Sequence, residues 1–162
     1  MQIRAAFPQE YEAVGALTVR AYVEGGFTGS DSPYLAQLAD AAGRAAEAEL
    51  YVAVDADARL LGAVLFAPPL SPYGEIAEPG EAVFRMLAVD PAARGRGVGE
   101  ALVRACIARA RALGCSVLRL STQRDMSAAH RLYQRLGFVR TPERDWEPLP
   151  GNRLLTYALD LP

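Results

Sequence analysis

The segment Arg94-Gly95-Arg96-Gly97-Val98-Gly99-Glu100 constrains what this chain can fold into more than any other stretch of it. Glycines at 95, 97 and 99 permit backbone dihedrals barred to other residues and let a ligand approach the main chain closely. A β-rich run from Glu81 to Val89, ended by Asp90-Pro91, leads into the turn. Out of it, Val98, Ala101, Leu102, Ala105, Ala112 and Leu113 fall on one side, opposite Glu100, Arg104 and Arg111, which predicts a helix to about Leu113. The first N–H groups of such a helix have no internal partner, and with the positive end of the helix dipole they form a site for phosphate. Arg94 and Arg96 add charge beside it. Two familiar phosphate motifs are excluded. A P-loop requires Gly-Lys-Ser/Thr, and the chain contains no lysine. A dinucleotide fingerprint requires a glycine where Glu100 stands, and an acid where Ser121, Thr122 and Gln123 stand.

Charge is distributed to match. Residues 1–84 carry a formal −8 and residues 85–162 a formal +6, within a net −2. The second half suits an anionic ligand and the first a cationic one, unless both are simply solvated surface. The small negative total argues against general nucleic-acid binding. A length of 162 residues, half of them hydrophobic, fits one globular domain spanning 1–162. No apolar run approaches the ~20 residues that cross a bilayer, and Met1-Gln2-Ile3-Arg4 does not open a signal peptide. The expected location is therefore cytoplasmic, with no membrane partner. Cys106 and Cys115 suit inert packing in a reduced interior, and with His130 the only histidine no metal site is expected.

The remaining elements read as mixed α/β. A strand over Gln2–Ala6 precedes a helix that begins near Pro8 and runs toward Tyr22; a second helix is expected from about Tyr34 to Ala48. Leu50–Val54 and Leu60–Phe66 read as a hairpin, followed by a Pro/Gly-rich loop from Ala67 to Gly80. Ser116–Thr122 is a strand, and Ser127–Leu136 a helix with Ala129, Leu132, Tyr133 and Leu136 on one face. Strands at Phe138–Arg140 and Leu154–Leu161 close the chain.

Arg94-x-x-Gly97-x-Gly99, preceded by Leu87-Ala88-Val89-Asp90-Pro91, and Ala129-x-x-Leu132-Tyr133-x-x-x-Gly137-Phe138 downstream are together similar to the signatures of the GCN5-related N-acetyltransferase (GNAT) family. The resemblance implies a central mixed, mostly antiparallel sheet of about six to seven strands, splayed between the fourth and fifth and flanked by about four helices. It implies acetyl-CoA as acyl donor, with its pyrophosphate on Arg94, Gly95, Arg96, Gly97, Val98, Gly99 and Glu100 and its pantetheine arm along Leu87, Ala88 and Val89. It implies transfer of the acetyl group to a primary amine by direct attack in a ternary complex. An N–H of Leu87 or Ala88 would polarise the carbonyl, and Tyr133 would protonate the departing thiolate.

The residues leave two readings for the family's general base. Glu81 lies 13 residues before Arg94, where one branch of the family carries a catalytic glutamate; a water chain ending at Glu81, Glu78 or Ser121 is the other reading. Met126 occupies the place, seven residues before Tyr133, where the family often has an asparagine on the pantetheine arm. A thioether cannot donate a hydrogen bond, which leaves a non-catalytic acyl-CoA-binding or sensor domain as the alternative function. The acceptor would lie between Gly25–Pro33 and Ala67–Gly80, with Tyr34, Tyr73 and Trp146 as candidate walls. Asp31, Glu75, Glu78 and Glu81 make these regions acidic, so a small cationic amine or a peptide amine is expected. The resemblance adds a homodimer.

Overall fold

A computed structural model describes the whole chain, Met1–Pro162. The strands are β1 (Gln2–Ala5), β2 (Glu49–Val54), β3 (Leu60–Ala67), β4 (Glu81–Val89), β5 (Val117–Thr122), β6 (Val139–Arg140), β7 (Trp146–Leu149) and β8 (Asn152–Asp160). The helices are α1 (Tyr11–Glu24), α2 (Leu35–Ala39), α3 (Ala41–Glu47), α4 (Val98–Ala112) and α5 (Ser127–Arg135). Sheet order is β1-β2-β3-β4-β5-β8-β6, with β7 paired to β8. Every pairing is antiparallel except β4 with β5. This is the expected mixed sheet, with a strand and a helix more than expected.

The β2–β3 hairpin forms because Asp55 closes its turn, accepting the N–H groups of Asp57 and Arg59 at 2.8 and 3.0 Å. β3 is apolar and buried almost end to end because helices cover both faces of the sheet there. On one face α4 buries Val98, Leu102, Val103, Cys106, Ile107 and Ala110 against Val64, Phe66, Phe84, Leu118 and Leu120. The opposite face holds Val14 of α1 and Ala41 of α3 over Leu50, Val52, Val54, Ala63 and Leu65. Gly62 is where α4 sits closest: a Cβ there would lie 2.7 Å from the Ala88 carbonyl and 2.9 Å from Val98 Cγ1.

Four expectations change. The helix over 34–48 is two short helices, because Asp40 leaves helical geometry (ψ 66°) and its carboxylate caps α3 through the Gly43 N–H at 2.9 Å. Pro8 starts a 3₁₀ turn, Pro8–Glu10, and the α-helix proper begins at Tyr11. The buried stripe of α4 is rotated toward Val103 and Cys106, so Leu113 is exposed and Arg109 pairs with Glu49 at 2.9 and 3.1 Å. The last strand starts at Asn152, as the second arm of a hairpin with Trp146–Leu149.

β4 and β5 pair only from Glu81–Phe84 to Val117–Leu120. Beyond that the strands part: β4 continues against β3 alone, and Ser121 and Thr122 pair only with β8. The split coincides with a bulge. Ala63 faces Ala88 and Leu65 faces Arg85, so two steps along β3 match three along β4, and Met86 takes a φ of 54°. A non-glycine residue in that region stores about 1–3 kcal/mol of strain, which clusters at functional sites.

Candidate active site

The split opens a cleft of about 580 Å³ between β4 and the pair β5 and α5, and the start of α4 closes one end. Of the sequence-derived positions, Leu87, Ala88, Val89, Arg94, Gly95, Gly97, Val98, Gly99, Glu100, Met126 and Tyr133 all line it, while Arg96 stands exposed on the turn outside the lining. Tyr22 and Phe27, from the end of α1 and the loop after it, complete the wall. No local motif marks either aromatic for this place.

The turn is built by backbone chemistry. Asp90 accepts the Ala92 N–H at 3.0 Å and Ala93 is buried, which fixes the entry. Gly95 and Gly97 then adopt φ of 77° and 76°, and Gly97 is the N-cap of α4. A Cβ at either would meet nothing within 4 Å. Glycine is thus required by conformation, and the space above it is free for a ligand. The first intrahelical bond runs from the Ala101 N–H to the Gly97 carbonyl, so the amides of Val98, Gly99 and Glu100 point out of the helix end unpaired. Glu100 does not spoil the anion site. Arg135 at 2.8 Å and Arg104 at 3.1 Å bind its carboxylate and hold it below the usual carboxylate range.

On the opposite wall, Tyr133 is buried, with edge contacts to Phe84 and Phe138 at 5.7 and 6.0 Å and a tilted contact to Tyr157 at 6.0 Å. Its hydroxyl bonds to no protein group, although Arg44 Nε is the one fully enclosed side-chain polar atom without a partner. The hydroxyl therefore opens on the cleft. Burial pushes the phenol up, so it stays protonated at physiological pH. Met126 is the N-cap residue of α5, and its sulfur lies 3.6 Å from Thr122 Oγ1, a hydroxyl that donates toward it. Ser121 Oγ lines the cleft and accepts the Trp146 indole N–H at 2.8 Å. That contact reaches across from the unforeseen hairpin.

Glu81 lies apart from the cleft lining, in the paired half of β4. Its carboxylate takes Arg119 Nε at 2.6 Å and Nη2 at 3.0 Å, and the Glu78 N–H at 2.8 Å. Burial pulls its pKa up, but these three bonds outweigh it and hold the group below its ordinary value. Glu75 and Glu78 meet Arg85 and Arg144 at 3.2 and 3.5 Å, so three of the four loop carboxylates expected to attract a cation already face arginines. His130 Nε2 sits 2.9 Å from the Gln123 carbonyl oxygen. No three His, Cys, Asp or Glu side chains gather as a metal site, and no helix is long and apolar enough to cross a membrane.

A family model described as the acetyltransferase (GNAT) family matches residues 11–138. No curated protein matches the sequence. Among solved structures, a GCN5-related N-acetyltransferase from Kribbella flavida is 28% identical, with 99% of this chain and 97% of that one covered and a TM-score of 0.72. A Salmonella typhimurium protein solved with its cofactor acetyl-CoA is 20% identical, covering 100% of this chain and 94% of its own, at a TM-score of 0.70. The ribosomal-protein-S18-alanine N-acetyltransferase of Escherichia coli is 18% identical, covering 98% and 92%, at 0.71. These last two likenesses speak to the fold.

Proposed function

Because the chain belongs to the acetyltransferase (GNAT) family, we propose that it transfers an acetyl group from acetyl-CoA to a primary amine, of a small molecule or a peptide, by direct attack in a ternary complex. The observation that carries this reading is the split of β4 from β5 with the unpartnered Tyr133 hydroxyl facing it. The residues fit the donor. Amides of Gly95, Arg96, Gly97, Val98, Gly99 and Glu100 grip the diphosphate, with Arg94 beside them. Main-chain groups of Leu87, Ala88 and Val89 on the side away from β3 need partners, and the amides of the pantetheine arm supply them. Met126 fills the end of α5 against that arm by apolar contact, in place of a hydrogen bond.

Bound there, acetyl-CoA supplies a thioester, whose carbonyl is open to an amine. The N–H of Leu87 or Ala88 stabilises the negative charge that develops on the carbonyl oxygen. As the amine nitrogen bonds to carbon and the carbon–sulfur bond breaks, Tyr133 passes its proton to sulfur, and the extra proton left on nitrogen restores the phenol. A neutral phenol suits this role, since a thiol near pKa 8.5 is an acceptor it can serve without being charged. The proton of the incoming ammonium leaves through water at Ser121. Glu81, the base suggested by its spacing from Arg94, is a weak base while bound to Arg119, and its part is to pin β4 to β5 just before they separate.

The reading takes residues 1–162 as one acetyltransferase domain in the cytoplasm, forming a homodimer that sedimentation would reveal. Its test is thermal unfolding with CoA, followed by thiol release from acetyl-CoA across a panel of amines. Protection by CoA with amine-dependent release is expected; protection that survives removal of the turn's glycine geometry would refute it.

A further inference from the structure

A second cavity, of about 430 Å³, lies behind the Met86 bulge, between α3 and the loop over 68–80. It shares Arg85 and Met86 with the catalytic cleft, so the two meet at the bulge. Arg44 lines it and is 2% exposed. Its Nη1 donates to the carbonyls of Gln37 and Leu38 at 2.7 and 3.0 Å, which ends α2. Nε is enclosed without a partner, Nη2 makes no bond to the protein, and no carboxylate lies within ion-pair distance. A guanidinium taken out of water without an opposite charge is strongly unfavourable. Burial indeed pushes this one toward its neutral form, opposed by the nearby Tyr73, Tyr22, Tyr34 and Asp40.

Asp40, Glu47 and Glu75 also line the cavity, and none of their carboxylates comes within ion-pair distance of Arg44. Asp40 is committed to the Gly43 N–H at 2.9 Å. Glu75 faces Arg85 at 3.2 Å, and Arg85 in turn lies 5.6 Å over the Tyr73 ring. Ser71 Oγ donates to the Glu47 carbonyl at 2.8 Å, fastening the loop over the cavity. Arg44 therefore has hydrogen-bonding capacity to spare in a cavity that joins the cleft at Met86.

We infer that the acceptor is a small amine bearing its own carboxylate, received by Arg44 in this cavity: an amino acid, in preference to a polyamine or a protein tail. The assignment rests on the transferase reading above. A guanidinium–carboxylate bond of this kind is charge-assisted on both sides and geometrically specific.

Thiol release from acetyl-CoA, measured with α- and ω-amino acids, the carboxamides of each and a set of polyamines, tests it. The best amino acid should exceed its own amide by at least about tenfold in kcat/KM. Arg44→Met should bring that ratio close to one, Arg44→Lys should keep part of it, and protection by acetyl-CoA should be unchanged in both. A residue needed only to end α2 would lower both rates together and leave the ratio as it was; that result overturns the assignment. So does a wild-type enzyme that prefers amides or polyamines, or one that acetyl-CoA protects but no amino acid activates. Should Arg44→Met not fold, the wild-type ratio and Arg44→Lys decide. Failure of acetyl-CoA to protect the wild type overturns the underlying transferase reading instead.

Discussion

Tyr133→Phe separates chemistry from packing more cleanly than any other change in this protein. The ring is fixed by Phe84, Phe138 and Tyr157 at centroid distances of 5.7 to 6.0 Å, and phenylalanine keeps all three contacts. The hydroxyl that is lost bonds to no protein group, so no partner is stranded. Stability should therefore move by no more than about 0.5 kcal/mol, the ordinary range for a change that breaks no named interaction. Turnover should not be spared. Removing a positioned acid costs about 10²-fold, or about 2.7 kcal/mol of barrier. Acetyl-CoA affinity should hold, because the proposed diphosphate and pantetheine contacts do not use this hydroxyl. Tyr133→Ala, by contrast, opens a cavity and should cost about 3–5 kcal/mol of stability. Because burial pushes the phenol up, wild-type kcat should show no loss from its ionisation up to pH 9. Thermal unfolding, acetyl-CoA titration and stopped-time thiol release read the three quantities. An unchanged kcat in Tyr133→Phe refutes the acid; a Tm lowered by many degrees refutes the packing argument beneath it.

Gly97→Ala should lower stability by about 1–2 kcal/mol through its left-handed φ of 76° alone, and weaken acetyl-CoA protection; Gly99→Ala, whose Cβ would lie at an ordinary 3.5 Å from Leu132 Cδ2, should unfold close to wild type. Glu81→Gln strands Arg119 and should cost about 2–3 kcal/mol of stability while kcat stays within about threefold; a 10²-fold loss with disappearance of the acidic limb of the rate profile would instead make Glu81 the base. Asp145, bound by Arg140 and Thr156, is held at about 2 against an ordinary 3.8, so its contribution of about 2 kcal/mol is complete above pH 4 and lost as pH falls toward 2. Asp145→Asn should flatten that part of an acid-unfolding curve, and an unaltered curve counts against the pairing.

What the sequence displayed was what is local. The glycine turn, its helix and the face of α5 that carries Leu132 and Tyr133 follow from spacings within a dozen residues, and the structure brings them together around one cleft. The break at Asp40 was hidden because alanine runs through both sides of it, although a capping aspartate three residues before Gly43 is the signal that could have shown it. Trp146–Leu149 gave no strand pattern: it is exposed, contains Pro148 and stays at the edge. The fate of Glu81 depends on Arg119, 38 residues away and brought alongside only by the parallel register of Val83 with Arg119. The same holds for Arg44. Its cavity needs α3, the 68–80 loop and the bulge of β4 together, and no window of sequence contains all three.

The bulge at Met86 ties these observations together. Without its extra residue, the stretch from Leu87 to Val89 would slip by one place against β3, and every side chain in it would change face. Ala88, now buried beside Leu17 and Ala21 of α1, would turn toward α4, and the entry to the glycine turn would rotate with it. A strained residue persists only where its surroundings hold it. Here the surroundings are the Glu81–Arg119 pair before it, which locks β4 to β5, and the Asp90 cap after it, which locks β4 to the turn. Between those two clamps β4 has one free edge. On the proposed reading the thioester arrives along that edge from the side of Leu87, and the amine arrives past Met86 from the side of Arg44. The bulge is then the point at which nitrogen and carbon meet, and it explains why a strand that stays with β3 to its end at Val89 is released from β5 halfway.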